Sequence, residues 1–205
     1  IMYATSSSSI YRSTNRGYTF VNVTNGLPGK VITSVNVHPD SSSVAILTCS
    51  GFGTPKFYKT TNQGSSWFSI SGNLPDSPIN DGLIYYPGAA TSTYFAATDV
   101  GVFVSNDYGQ NWLEVANGLP NTVAIHLDHH AATNKLRVGT HGRGTFEIQL
   151  SSFSPVDAAS IDAGLSGVQT FASSSINPVG TVRNYGTAPA SFNVTRTISP
   201  GGYSN

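Results

Sequence analysis

Apolar residues in this chain fall in short runs, and none recurs with the spacing of a helix face. Residues 31–37, 44–49, 81–86, 93–98, 122–128 and 136–140 are strand-length stretches rich in Val, Ile, Leu, Phe, Tyr and Thr. Turn-forming clusters of Gly, Asn, Asp, Pro and Ser separate them. Short runs bounded by such clusters predict β-strands, and the absence of 3.6-residue periodicity predicts an all-β fold.

The runs are organised by a repeat. Ser13-Thr14-Asn15-Arg16-Gly17-Tyr18-Thr19-Phe20 returns as Thr60-Thr61-Asn62-Gln63-Gly64-Ser65-Ser66-Trp67. It returns again as Ser105-Asn106-Asp107-Tyr108-Gly109-Gln110-Asn111-Trp112. The copies begin 47 and then 45 residues apart. A hydroxyl and an Asx side chain two residues apart bond backbone N–H groups across a tight turn. The Gly supplies a positive φ, and the aromatic opens the return strand and is expected to bury its ring between layers. An Asn/Gly-Leu-Pro connector follows each copy (25–28, 72–75 and 117–120). The matching polar turns are 39–43, 87–92 and 130–134. Four short strands per period of this length is the signature of a propeller blade.

The octapeptide resembles the Asp-box, or BNR repeat, of sialidase-like β-propellers. The connector and the run Gly139-Thr140-His141-Gly142-Arg143-Gly144 are similar to sortilin-type and xyloglucanase-type propellers and to propellers of secreted bacterial surface proteins. The expected fold is a partial β-propeller over residues 1–150, with strands named A to D from the inside out. Residues 1–23 then hold strands B, C and D, residues 31–70 and 80–115 two full blades, and residues 123–148 strands A, B and C. A segment upstream is expected to close the propeller, so the chain reads as part of a longer protein. Residues 151–155 read as a linker. Residues 156–205 read as the first half of an immunoglobulin-like sandwich, with strands at 156–163, 176–183 and 191–198 and a Val182-x-Asn184-x-Gly186 motif.

Charge narrows the function classes. Only 10% of residues are charged and the net charge is zero, which leaves no basic stripe for nucleic acid. No apolar run reaches the roughly 18 residues of a membrane-spanning helix. A sparsely charged, Ser/Thr-rich chain suits an extracellular or cell-surface setting. The single Cys49 sits in a strand run and reads as a small buried hydrophobe. Asn22-Val23-Thr24 and Asn193-Val194-Thr195 have the form of glycosylation sequons.

The box residues Ser13, Asn15, Gly17, Phe20, Thr60, Asn62, Gly64, Trp67, Ser105, Asp107, Gly109 and Trp112 are read as hairpin clamps. The resemblance places the ligand face at the opposite end, on the B–C turns and D–A connectors. Its candidates are Asp99, His141 and Arg143, with Phe52 as a platform. His126, Asp128 and His130 alternate along one strand, a spacing that can hold a metal; core-facing Val35 and Val37 and Pro39 at the matching positions speak against it. No cofactor, no metal and no catalytic residue is assigned. Sialidase chemistry needs converging arginines, and residues 1–150 offer only Arg12, Arg16, Arg137 and Arg143. Hydrolase chemistry of the xyloglucanase type needs two facing carboxylates, and only Asp99 is placed for it, since Glu114 and Glu147 lie in strands. The reading is a non-enzymatic module that binds a carbohydrate or an extracellular protein. The alternatives are a propeller glycoside hydrolase and a self-assembling filament subunit.

Overall fold

A computed structural model describes residues 1–53, 55–86, 92–115 and 119–150, together with the backbone of two strands, 158–162 and 181–184. The chain divides into two units, Ile1–Phe153 and Ser154–Asn205. No helix among the described residues is long and apolar enough to cross a membrane.

The described residues of the first unit form four antiparallel meanders. The first sheet is β1 (Met2–Ser6), β2 (Ser9–Ser13) and β3 (Val21–Asn22). The second is β4 (Ile32–Val37), β5 (Ala45–Cys49), β6 (Phe57–Thr60) and β7 (Phe68–Ser69). The third is β8 (Ile79–Tyr85), β9 (Thr93–Thr98), β10 (Gly101–Ser105) and β11 (Leu113–Glu114). The fourth is β12 (Ala124–His130), β13 (Lys135–Thr140) and β14 (Thr145–Gln149). This is a propeller-type arrangement of four-stranded and three-stranded sheets in the expected order.

The core lies between sheets. Ala45, Leu47 and Cys49 of β5 pack with Ile10, Val23 and Trp67 in the interleave of the first and second sheets. Their neighbour Ile46 points the other way, into a cluster with Phe57, Ile84, Tyr94 and Trp112. A third cluster joins Phe95, Val102 and Val104 to Leu127, Leu136 and Val138. All five residues of β5 are buried, as are Tyr94–Thr98 of β9. A strand covered on both faces reads as a continuous apolar run, which is why these strands lack polar alternation. Cys49 is fully buried, and burial pushes its thiol up to about 11.

The three boxes fold alike. The Ser13 hydroxyl accepts the Gly17 N–H at 2.8 Å, and the Asn15 side-chain oxygen accepts the Thr19 N–H at 3.0 Å. The equivalent bonds are Gly64 to Thr60 and Ser66 to Asn62, then Gly109 to Ser105 and Asn111 to Asp107. The residue before each Gly is also left-handed: Arg16, Gln63 and Tyr108 have φ of 59°, 59° and 62°. The box aromatics are not equivalent. The indole N–H of Trp67 donates to Val23 O and that of Trp112 to Ile70 O, each in the preceding sheet. Phe20, in the first sheet described, has no such neighbour and is 43% exposed, against the expectation that its ring is buried.

A second repeat was not visible in the sequence. The first strands β4, β8 and β12 each carry a bulge one residue after the start, at Thr33, Asn80 and Ile125. The Thr33 hydroxyl donates to Ile79 O at 2.7 Å, and the Asn80 amide donates to Ala124 O at 2.9 Å. Both tie one sheet to the first strand of the next.

The second unit is described only as β15 (Ala158–Asp162) paired antiparallel with β16 (Thr181–Asn184). The linker at 151–155, the third expected strand and Tyr185-Gly186 of the immunoglobulin-like motif lie outside the described residues.

Candidate ligand-binding face

The turns between the second and third strands of successive sheets share one equivalent backbone bond. Ser50 N–H donates to Val31 O, Asp99 N–H to Pro78 O, and His141 N–H to Val123 O. Each bond staples a turn to the segment leading into the first strand of the same sheet, so turns and connectors share one end.

The four candidate residues all sit on these turns. Asp99 is exposed, and its carboxylate accepts the Asn80 side-chain amide at 2.8 Å. His141 and Arg143 are exposed on a turn built by Gly142 and Gly144, and Thr140 closes it by donating to Gly144 O. Phe52 is 63% exposed, and its carbonyl accepts the Lys30 ammonium.

A pocket of ≈ 320 Å³ opens between the 50–56 turn and the 71–79 connector. Gly53, next to Phe52, and Ile79, next to the Pro78 that accepts from Asp99 N–H, both line it. None of the four candidates is itself in the lining: Phe52 and Asp99 are next to it through these neighbours, and His141 and Arg143 belong to the fourth sheet.

The pocket's charged pair is Lys56 and Asp76. Lys56 is 5% exposed, and its Nζ lies 2.7 Å from Asp76 Oδ1. The same oxygen accepts the Gly53 N–H at 2.8 Å. The hydrogen bond from Lys56, joined by the Gly53 N–H, holds the Asp76 carboxyl below the usual carboxylate range. Ser71 Oγ accepts the N–H groups of both Lys56 and Phe57 at 3.0 Å, which fixes the backbone under the ammonium. Leu74, Pro55, Pro75 and Ile79 supply apolar wall.

The boxes and this face are less separate than expected. Gly72 lines the pocket, and a Cβ there would lie 2.4 Å from Gln110 O, inside the third box. The third box therefore backs the pocket.

His126, Asp128 and His130 each have a partner of their own. His126 Nδ1 lies 2.7 Å from Asp81 Oδ2, Arg137 faces Asp128 at 4.0 Å, and His130 Nδ1 pairs with Thr133 Oγ1. Among the described residues, no group of three His, Cys, Asp or Glu side chains is placed to hold a metal. The bulge also corrects the alignment of this strand. His126, Asp128 and His130 correspond to Ser34, Asn36 and His38, not to Val35, Val37 and Pro39. Buried Asp81, at the His126 position of β8, accepts the Leu127 N–H at 2.9 Å and so links third and fourth sheets.

The family model described as Sortilin, neurotensin receptor 3 (Sortilin-Vps10) matches residues 8–118, just over half of the chain. The chain belongs to the sortilin–Vps10 family. No curated protein matches it. Among solved structures, this sortilin–Vps10 chain is similar to an ancestral GH74 enzyme, with a TM-score of 0.53 and 18% identity over 71% of the chain. It is also similar to the GH74 xyloglucanase from Xanthomonas campestris, with a TM-score of 0.51 and 18% identity over 74% of the chain. It spans only 20% and 27% of those two structures. At this identity the likeness establishes the propeller-type fold.

Sequence reasoning missed Lys56, Ser71 and Asp76 in this sortilin–Vps10 propeller. It weighed acids within the second-to-third-strand turns, and Asp76 lies in a connector. The one available sign was a lysine directly before the apolar Phe57-Tyr58 pair.

Proposed function

We propose that the chain is a non-enzymatic binding module of a secreted or cell-surface protein, and that it engages a carbohydrate or an extracellular protein through the face bearing Phe52, Lys56, Asp76 and Asp99. The pocket with its internally neutralised charge pair carries this reading. Clefts of this size with apolar walls and a few fixed polar groups are the usual form of a small-ligand site. The carboxylates argue for binding over hydrolysis. A glycosidase needs one carboxylic acid held protonated by a raised pKa. Asp76 is shifted the other way by Lys56. Asp99 is occupied by Asn80. The fold shared with GH74 enzymes does not by itself transfer their activity.

The test pairs binding with turnover. Full-length protein is applied to insoluble polysaccharides and to a panel of extracellular proteins, and is incubated with xyloglucan and sialosides. Retention without sugar release is the expected result. Sugar release that Asp99→Ala or Asp76→Ala abolishes overturns the proposal in favour of a hydrolase.

A further inference from the structure

We infer that the pocket beside Phe52 takes a neutral sugar ring and reads two adjacent hydroxyls with Asp76 and Lys56. This rests on the binding-module reading and specifies its ligand.

Charge comes first. Lys56 and Asp76 neutralise one another at 2.7 Å, so neither a ligand carboxylate nor a ligand ammonium meets an unpaired counter-charge among the lining residues. Lys30 adds a positive charge near Asp76, but it lies outside the lining and is tied to the Phe52 carbonyl. An ionised guest would leave water for a lining whose own charges already balance, which costs free energy.

Hydrogen-bonding capacity comes second. Asp76 uses Oδ1 for both Lys56 and the Gly53 N–H. Its Oδ2 is left as an acceptor on a side chain that is 61% exposed. Lys56 spends one of its three N–H donors on Asp76. An acceptor and a donor therefore sit side by side at a fixed separation. Adjacent hydroxyls of a sugar are the matching pattern, because one donates to the carboxylate while its neighbour accepts from the ammonium.

Shape and order come third. The ≈ 320 Å³ volume lies at the low end of small-molecule clefts, which run from about 300 to about 1,000 Å³. A ring fits such a space better than a folded segment. The carbon-bound hydrogens of a sugar face need apolar wall, and Leu74, Pro55, Pro75 and Ile79 provide it; the exposed Phe52, next to the lining Gly53, is assigned as a further platform at the rim. Ser71 anchors the backbone of Lys56, so the donor is ordered before binding.

The experiment titrates the full-length protein, labelled with ¹⁵N-glycine, with methyl glycosides of glucose, galactose and xylose, and in parallel with sialic acid and glucuronate. The Gly53 amide is the reporter, since it donates to Asp76. At least one neutral glycoside is expected to shift that amide and to saturate. Asp76→Asn keeps an oxygen for Lys56 and should weaken binding about tenfold or more, the size of one charge-assisted hydrogen bond. Phe52→Ala, at an exposed ring, should weaken binding with the thermal midpoint unchanged. It decides the matter if Asp76→Asn fails to fold. Preference for an acidic sugar overturns the inference. So does retention on a glycan or a protein with an unmoved Gly53 amide and no effect of Asp76→Asn or Phe52→Ala; in that case the binding-module reading still stands. Retention on nothing in either panel removes both.

Discussion

In each box a hydroxyl and an Asx oxygen do the same work, but the second Asx atom chooses its own partner. Asn15 and Asn62 donate their amides to the hydroxyls of Thr19 and Ser66. Asp107 has no N–H to give, and its Oδ2 accepts from the Asn111 side chain at 2.7 Å. Asp107→Asn therefore sets two amide donors face to face and should cost on the order of 1 kcal/mol. Adding Asn111→Ser rebuilds the second box and should recover most of that loss, as a urea-denaturation cycle on the four proteins will read. Burial raises the Asp107 pKa, but hydrogen bonds from the Asn111 N–H and side chain, the Ser105 hydroxyl and the Gln110 N–H outweigh it and hold it below the ordinary aspartate range. A depressed folded-state pKa means stabilisation that is complete above the unfolded value. It is lost as pH falls through the lower folded value. The double variant should lack this part of the acid-induced loss. The glycines of the boxes were plain in the sequence. The left-handed Arg16, Gln63 and Tyr108 before them were not, because they share no chemistry and only the closed turn imposes their φ.

At the scale of elements, the first strands show how one extra residue changes a reading. A bulge reverses the faces of every side chain beyond it relative to an unbulged count. Because β4, β8 and β12 all carry the bulge at the same place, their side chains keep matching faces, and His126 aligns with Ser34 and not Val35. The bulged residues then act between sheets. Asn80 holds both Ala124 O and Asp99, and Thr33 holds Ile79 O, while Ile125 in the same place of β12 is 45% exposed. Asn80→Ala should destabilise by about 1–3 kcal/mol, since it strips the bulge of both bonds. Ile125→Ala should change stability by less than about 0.5 kcal/mol. Chemical denaturation of the two variants side by side checks the contrast. Strand number and order were legible because each strand is bounded by local turn residues. The bulges were not, because an irregularity in pairing has no obligatory residue type here.

For the whole molecule, stability is layered between sheets. The middle strands β5 and β9 are buried on both faces, whereas the outer strands β3, β7 and β11 are two residues long and largely exposed. Amide hydrogen exchange should therefore be slowest in β5 and β9 and fastest in β3, β7 and β11. Equal protection across all strands would contradict this layering. The candidate site belongs to the same scale. Phe52 and Asp99 were found because they occupy turns that the repeat places at one end. The Lys56–Asp76 pair was not, since its partners are 20 residues apart on two different segments.

The sequence alone determined what is local: strands ended by turn residues, boxes whose bonds span four residues or fewer, and the period that stacks them into sheets. Tertiary structure decided what spans sheets and loops. It set the bulge register, the indole bonds reaching 44 and 42 residues back, and the joining of Lys56 to Asp76. The physical reason is the range of the interactions. A tight turn is satisfied by its own neighbours, so its residues announce it. A contact between stacked sheets is satisfied only once both are in place, and many residue types meet that need.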